Sequence, residues 1–379
     1  MPRLAVLIGP NGGGKSNFID LLALMAEAGN GQLANGVSKR GGFPNIAFGF
    51  DPSREVRIEL RFKEALSWRV PTRGGDDKLD VRFKMAARNY AFGAQVIEEL
   101  VRQESLTEPS LSADIVSRGP AGAVFRPAID LGVLTTPERR GVAFTELVIS
   151  QVKDSIKYPA ASAVLNELAG WAFYRDIDVG PEARVRQPAL IRPDVLLVAD
   201  GSNLSSVLYS IQQSHPDLWS ELLEDLHTAY PDFVKLTVPA GGGDGKVHLR
   251  WFERPYEKEG MSANLLSDGT LKLLCLIAVL KSPDPPLLTC IDEPELGLHP
   301  DWIELVAELL QDAATRTQVI VATHSPQIVA KLEPEQVIVT EKVEGETHLT
   351  QLKTADLENW LKDFSLAELW LSGEIGGRP

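Results

Sequence analysis

The feature that most constrains this chain lies at its start. Leu4 to Ile8 is an unbroken apolar run, and the next eight residues are Gly9-Pro-Asn-Gly-Gly-Gly-Lys15-Ser16. A short apolar run closed by glycine reads as a buried strand. From Asn17 to Ala28 the apolar residues Phe18, Leu21, Leu22 and Met25 recur at helical spacing. Strand, glycine-rich turn, helix is the setting in which G-x-x-x-x-G-K-S has a mechanism. Gly9, Gly12, Gly13 and Gly14, with Asn11 between them, let backbone N–H groups curl around phosphates. The helix that begins near Asn17 adds a favourable dipole. The spacing therefore predicts a site for ATP, with Lys15 reaching the β- and γ-phosphates and the Ser16 hydroxyl on Mg²⁺.

A second apolar run, Leu287-Leu-Thr-Cys-Ile291, ends in two consecutive acids, Asp292 and Glu293. Unpaired buried carboxylates are costly, so such a pair at a strand end implies a partner. A Mg²⁺ ion held by Asp292 supplies one, leaving Glu293 to orient and deprotonate a water. Leu266-Ser-Asp-Gly-Thr270 opens an apolar helix, and Ser267 or Asp268 there could serve simply as an N-cap. Thr323-His324-Ser325-Pro326 follows the strand Val319 to Ala322, which places His324 at the active edge of a parallel sheet.

The order of these pieces, joined by Pro294-Glu-Leu-Gly-Leu-His299-Pro300, resembles the ABC-type P-loop ATPases, and more narrowly their RecF/OLD-like branch of AAA family ATPases. Asp200-Gly-Ser-Asn-Leu204 and the closing Leu369-Trp-Leu-Ser-Gly-Glu-Ile-Gly-Gly377 are similar to segments of stand-alone members. The resemblance implies an α/β fold, an ABC-type head with a mixed, mostly parallel sheet. It implies that Ser267, Asp268 and Gly269 form a signature that meets the γ-phosphate on the P-loop of a second copy. His324 would be the switch histidine in cis, and Glu295–His299 the loop that crosses the seam. It follows that ATP bridges a homodimer and that Glu293, His324 and Lys15 carry hydrolysis. The implied setting is DNA repair or anti-phage defence, with DNA or an effector, a nuclease or toxin, as partner. The alternative is a nucleotide-dependent scaffold for such an effector with little hydrolysis, and a transporter subunit is the reading least favoured.

Around these motifs the chain divides into an N-terminal ATPase part at 1–63, an inserted β-rich and helical region at 64–200, a helical and hairpin segment at 201–260, the second ATPase part at 261–345 and a tail at 346–379. Val56 to Phe62 and Leu79 to Met85 alternate as half-buried strands. Helices are expected at Ala160–Trp171, Ser202–Gln213, Leu218–Ala229, Leu271–Leu280, Trp302–Ala314 and near Ala355–Leu371. A hairpin is expected between Val234–Val238 and Lys246–Phe252. The C-terminal helix could dock on its own core or bind a partner. Sustained heptads are missing, so the insertion is not expected to be a long coiled coil.

The net charge of −14 means that the overall field does not attract nucleic acid. A local basic face is the remaining route. Residues 61–140 carry a net +2, and arginines at 61, 69, 73, 82, 88, 102, 118, 126, 139 and 140 could line a groove. The plainer reading is that they lie on solvated strand faces. Cys275 and Cys290 sit in apolar runs, as buried thiols in a reducing compartment do. No apolar stretch reaches the roughly 18–20 residues that span a bilayer, so a cytoplasmic protein is expected. Related ATPases carry strands upstream of the P-loop strand. Only eight residues precede Gly9 here, so that edge is expected to be absent or truncated. Members with a Toprim nuclease need an Asp-x-Asp pair after the switch histidine. The 55 residues beyond His324 contain none, so a nuclease is expected on a separate polypeptide. Gln95 and Gln151 are the candidates for a Q-loop glutamine.

Overall fold

The computed structural model describes residues 1–377 except 64–69, 73, 74, 78, 92, 106–111, 121, 127, 130–132, 135–137, 194 and 242. Arg69 and Arg73 thus lie outside the described residues. The chain forms two compact units, Met1–Ile19 with Ala172–Pro379, and Asp20–Trp171. These limits differ from the 64–200 insertion read from the sequence, and strand pairing gives the reason. Val56–Phe62 pairs along its length with Leu79–Tyr90, which draws 20–63 into the second unit. Ala172–Tyr174 pairs with the strand that ends in Asp292, which returns 172–200 to the first.

In the first unit, elements are β1 (Leu4–Ile8), α1 (Lys15–Gly29), β2 (Ala172–Tyr174), α2 (Leu204–Ser214), α3 (Pro216–Ala229), β3 (Phe233–Thr237), β4 (Arg250–Glu253), α4 (Asp268–Leu280), β5 (Leu288–Asp292), α5 (Pro300–Arg316), β6 (Gln318–Ala322), α6 (Pro326–Val329), β7 (Val337–Val343), β8 (Glu346–Gln351) and α7 (Leu366–Ser372). Helix α1 continues across the boundary at Ile19. The main sheet has six strands in the order β2-β5-β6-β1-β7-β8. All neighbours are parallel except β7 and β8. Both faces of a parallel sheet are covered, so its central strands are largely apolar, and all five residues of β1 are buried. Helix α4 is apolar on every side and buried from Thr270 to Leu280, as a core helix must be. Both cysteines are buried, and burial pushes the Cys275 thiol up to about 12. Trp302 packs against this core and donates its indole N–H to the Ala229 carbonyl at 2.7 Å. No helix among the described residues is long and apolar enough to cross a membrane.

Two expected elements take a different form. The strand at 246–252 is split: Val247, Leu249 and Trp251 are buried in alternation, but Lys246–Val247 pairs with Ala189–Leu190, while β4 pairs with β3. The C-terminal helix is broken into Thr354–Leu357, a tight turn at Trp360–Lys362, and α7. Ser365 restarts it, because its hydroxyl accepts from Glu368 N while the Glu368 carboxylate accepts from Ser365 N, a capping box that also terminates whatever precedes it.

The second unit is built on a six-stranded antiparallel sheet that runs Glu138–Arg140, Gly122–Phe125, Ala113–Gly119, Gly93–Ser105, Leu79–Tyr90, Val56–Phe62. Its solvated face carries a cross-strand ladder of opposite charges. Arg57 meets Glu55 and Glu98, Arg61 meets Glu104, Arg82 meets Glu59 and Glu104, Lys84 meets Glu59, and Arg102 meets Asp114. Three of the arginines proposed for a groove, Arg61, Arg82 and Arg102, are thus matched by acids on the same sheet. Arg118 does not belong to that face at all. It is buried and donates to the carbonyls of Val96, Ala143 and Glu146.

Its strand partner Glu99 is fully buried and accepts from the amides of Val148 and Ile149. Burial raises the Glu99 carboxyl to about 7, against the pull of those amides and of Arg118. A carboxyl raised on folding holds a proton that the unfolded chain has already lost, so stability falls as pH rises from about 4.5 to 7. Glu99→Gln should flatten that slope, removing a change on the order of 3 kcal/mol across this range, as read by urea unfolding of the whole chain at stepped pH.

Candidate nucleotide site

Three adjacent strands of the parallel sheet end level. Ala322 at the end of β6 is registered with Asp292 of β5 on one side and with Leu7 of β1 on the other. The loop Gly9–Gly14, the acids Asp292-Glu293 and the pair Thr323-His324 therefore leave the sheet side by side, at its C-terminal edge. Lys15 lies in the field of those acids. Burial pulls its ammonium below the ordinary lysine range, and Asp292, Glu293 and Glu295 pull it back up. Its Nζ donates to the carbonyls of Gly9 at 2.7 Å and Pro10 at 3.2 Å.

The loop is held from β7 and β8. The Thr340 hydroxyl donates to the Ile8 carbonyl at 2.9 Å. A side chain at Gly9 would run into Thr340, and one at Gly14 into Thr347; both glycines also have positive φ, 149° and 102°. Only glycine fits at either point. Asn11, Gly12, Ser16 and Asn17 are exposed, while Gly13, Gly14 and Lys15 are buried, so one edge of the loop faces solvent and the other is anchored.

Glu293 has φ 50°, in the left-handed region that a non-glycine residue adopts at a cost of about 1–3 kcal/mol. Its amide donates to the Ala322 carbonyl at 2.8 Å, which pins the strained turn to the neighbouring strand. Glu295 ties the next loop to the segment after β6, for its Oε1 accepts from Thr323 Oγ1 at 2.7 Å and from His324 N at 2.8 Å. Buried Lys272 of α4 is pulled down by desolvation and back up by Asp176, Glu295 and Glu293.

Ser267 is indeed the N-cap of α4; its Oγ accepts from Thr270 N at 3.1 Å. That role does not remove it from the surface, since Ser267 and Asp268 are exposed. Gly269 lies against the Gly297 carbonyl, so the Ser267–Gly269 segment and the Glu295–His299 loop are packed together. His299 caps α5. The residue that sequence reasoning missed is Arg186. Its buried guanidinium donates to the carbonyls of Val179, Gly180, Ala263 and Leu266, and pairs with Asp268 at 2.5 Å. It shapes the turn just before the signature from inside. Arg186 lies 80 residues from Leu266 with no spacing to mark it, so no motif exposes it. Gln95 and Gln151 both lie in the second unit, held by Arg88 and by the Ala143 and Leu147 backbone.

A phosphate loop, paired acids and a histidine at the ends of neighbouring parallel strands define a P-loop nucleotide-binding head of the ABC type. The chain belongs to the family described as "AAA domain, putative AbiEii toxin, Type IV TA system", which matches residues 4–111 and 140–330. Among solved structures, the chain is similar to an SMC head bound to the C-winged helix domain of ScpA, at 14% identity and TM-score 0.56, covering 93% of this chain and 91% of that one. It is also similar to an SMC head with an extended coiled coil from Pyrococcus furiosus, bound to the C-terminal domain of ScpA, at 12% identity and TM-score 0.52, covering 95% and 92%. These likenesses establish the ATPase-head fold. No curated protein matches the chain in sequence.

The Arg186–Asp268 pair is lopsided, with side chains 5% and 65% exposed. Removing the buried partner strands several carbonyls, whereas removing the exposed one leaves Arg186 its other acceptors. Arg186→Ala should cost about 3 kcal/mol or more, and Asp268→Ala less than about 1 kcal/mol, compared by urea denaturation.

Proposed function

We propose that this chain binds ATP with Mg²⁺, closes against a second copy across the nucleotide, and reopens on hydrolysis. It would serve as a cytoplasmic switch in anti-phage defence or DNA repair through a separate effector protein. The observation that carries the reading is the convergence of Gly9–Ser16, Asp292-Glu293 and His324 at three level strand ends, with Lys15 in the field of the acids.

Lys15 turns from its own loop carbonyls to the β- and γ-phosphates, while the loop amides hold the remaining oxygens. Glu293 accepts a proton from the attacking water, and His324, with its backbone fixed by Glu295, donates to a γ-phosphate oxygen. Ser16 and Asp292 are both accessible at the loop and the strand end. A hydroxyl and one carboxylate, completed by phosphate and water, fit the preference of Mg²⁺ for few protein ligands. Bound there, the ion would neutralise charge on the β- and γ-oxygens.

Ser267, Asp268 and Gly269 complete the site from a second copy. Supporting this, Leu265 and Leu296 are 70% and 60% exposed beside the signature and the Glu295–His299 loop. Large leucines in water next to a recognition segment suit a surface that is covered in one state of a cycle. The family description, with its toxin–antitoxin system, supports a protein effector; the matched charges on the second unit's sheet give DNA less support. SMC heads of this fold are bound by another protein's domain, which also suits an effector. The second reading is a scaffold for a toxin-like partner that binds ATP with negligible turnover, and the intact Asp292-Glu293 pair argues against it.

Glu293→Gln should lower Mg²⁺-dependent hydrolysis by about a hundredfold or more and should accumulate an ATP-bound dimer by light scattering, while Lys15→Ala should neither bind nor dimerise. Hydrolysis unchanged in Glu293→Gln would sink the mechanism. Turnover near zero in the wild type, even with effector and DNA, would favour the scaffold.

A further inference from the structure

The closing segment Leu369-Trp-Leu-Ser-Gly-Glu-Ile-Gly-Gly377 carries no chemistry of its own. Its place in the fold gives it a task. Helix α7 buries Leu366, Leu369 and Trp370 in the core of the first unit and packs on α6, which begins two residues after His324. At Gly373 the chain turns back, and Trp370 Nε1 donates to the Gly377 carbonyl at 2.6 Å. Gly377 N donates to Glu341 Oε1 at 2.9 Å, on β7. Glu341 follows Thr340, whose hydroxyl holds the Ile8 carbonyl.

Gly377 is buried, and a methyl group there would stand 3.1 Å from the Gly9 Cα and 2.7 Å from Val339 Cγ1. Gly9 is thus confined on one side by Thr340 and on the other by Gly377. We propose that the C-terminal segment is a brace for the phosphate loop, and that Glu341, Trp370 and Gly377 are positioning residues for nucleotide binding. The proposal rests on reading Gly9–Ser16 as the nucleotide loop. The physical reason is preorganisation. Backbone amides grip phosphate only while the loop keeps one shape, and Gly9 is the hinge between β1 and that loop. A displaced brace weakens ground-state and transition-state binding alike, which raises KM and leaves kcat nearly unmoved.

The test compares full-length wild type with Gly377→Ala, Trp370→Phe and Glu341→Ala. The first drives a methyl toward Gly9, the second keeps an aromatic ring, smaller than indole, but removes the N–H, and the third removes an exposed acceptor. Affinity for a fluorescent ADP analogue with Mg²⁺ should fall about tenfold in Gly377→Ala and severalfold in the others, with KM for ATP rising in parallel and kcat falling less than about twofold. A tail that only stabilises the fold would shrink the active fraction, lowering kcat at unchanged KM and affinity, and that result overturns the brace. Trp370→Phe could suffer in folding, so Glu341→Ala, at an exposed site, carries the decision if it does; wild-type affinity there also overturns the proposal. A wild type that binds the ADP analogue without turnover defeats the hydrolysis reading alone, because the affinity comparison still decides the brace.

Discussion

The organising constraint is the register of three parallel strands. β5, β6 and β1 are buried on both faces and tolerate no charge along their length, so polar groups are displaced to the strand ends. Because Asp292, Ala322 and Leu7 are level, those ends coincide. The displaced groups, a lysine, two acids and a histidine, become neighbours although more than 300 residues separate Lys15 from His324. A one-residue slip of any of the three strands would scatter them. The hydrophobic core thereby sets the chemistry, since its demand for apolar strands is what assembles the charged cluster.

The sequence was most legible where local pattern and chemistry coincide. Leu4–Ile8 and Val56–Phe62 appear with the limits that their apolar runs and alternation give, because strand burial writes itself directly into residue order. The loop Gly9–Ser16 is legible for a related reason: Gly9 and Gly14 answer to contacts with Thr340 and Thr347 that permit nothing larger. Legibility fails where partners are distant. The alternation of Val247, Leu249 and Trp251 is real, yet nothing local says that Val247 pairs with Ala189 while Trp251 pairs with Leu236. The division into units failed likewise, since the membership of 20–63 is decided by a partner strand beyond it. The C-terminal helix was overread because its apolar spacing concealed the Ser365–Glu368 cap that restarts it.

Arg186, Glu295 and Glu99 show a common device. Each is an ionisable side chain turned inward to bond backbone groups of a loop: Arg186 to the turn before Ser267, Glu295 to the amide of His324, Glu99 to the amides of Val148 and Ile149. Loops leave peptide groups without ladder partners, and one inward-turned polar side chain satisfies several of them at once. The geometry of these loops is therefore set in part by residues distant in sequence. Arginine suits the signature turn because its fork reaches carbonyls on two separate segments, Val179–Gly180 and Ala263–Leu266.

The left-handed backbone at Glu293 has a consequence for how this position can vary. Any residue with a β-carbon sits there under tension, and the Ala322 carbonyl holds the turn in that state. Asparagine, aspartate and glycine all suit that backbone better than glutamate does. Drift under selection for folding alone would move the site toward them. A glutamate at such a point is not there for conformational ease, and the role proposed for it toward water would supply the reason.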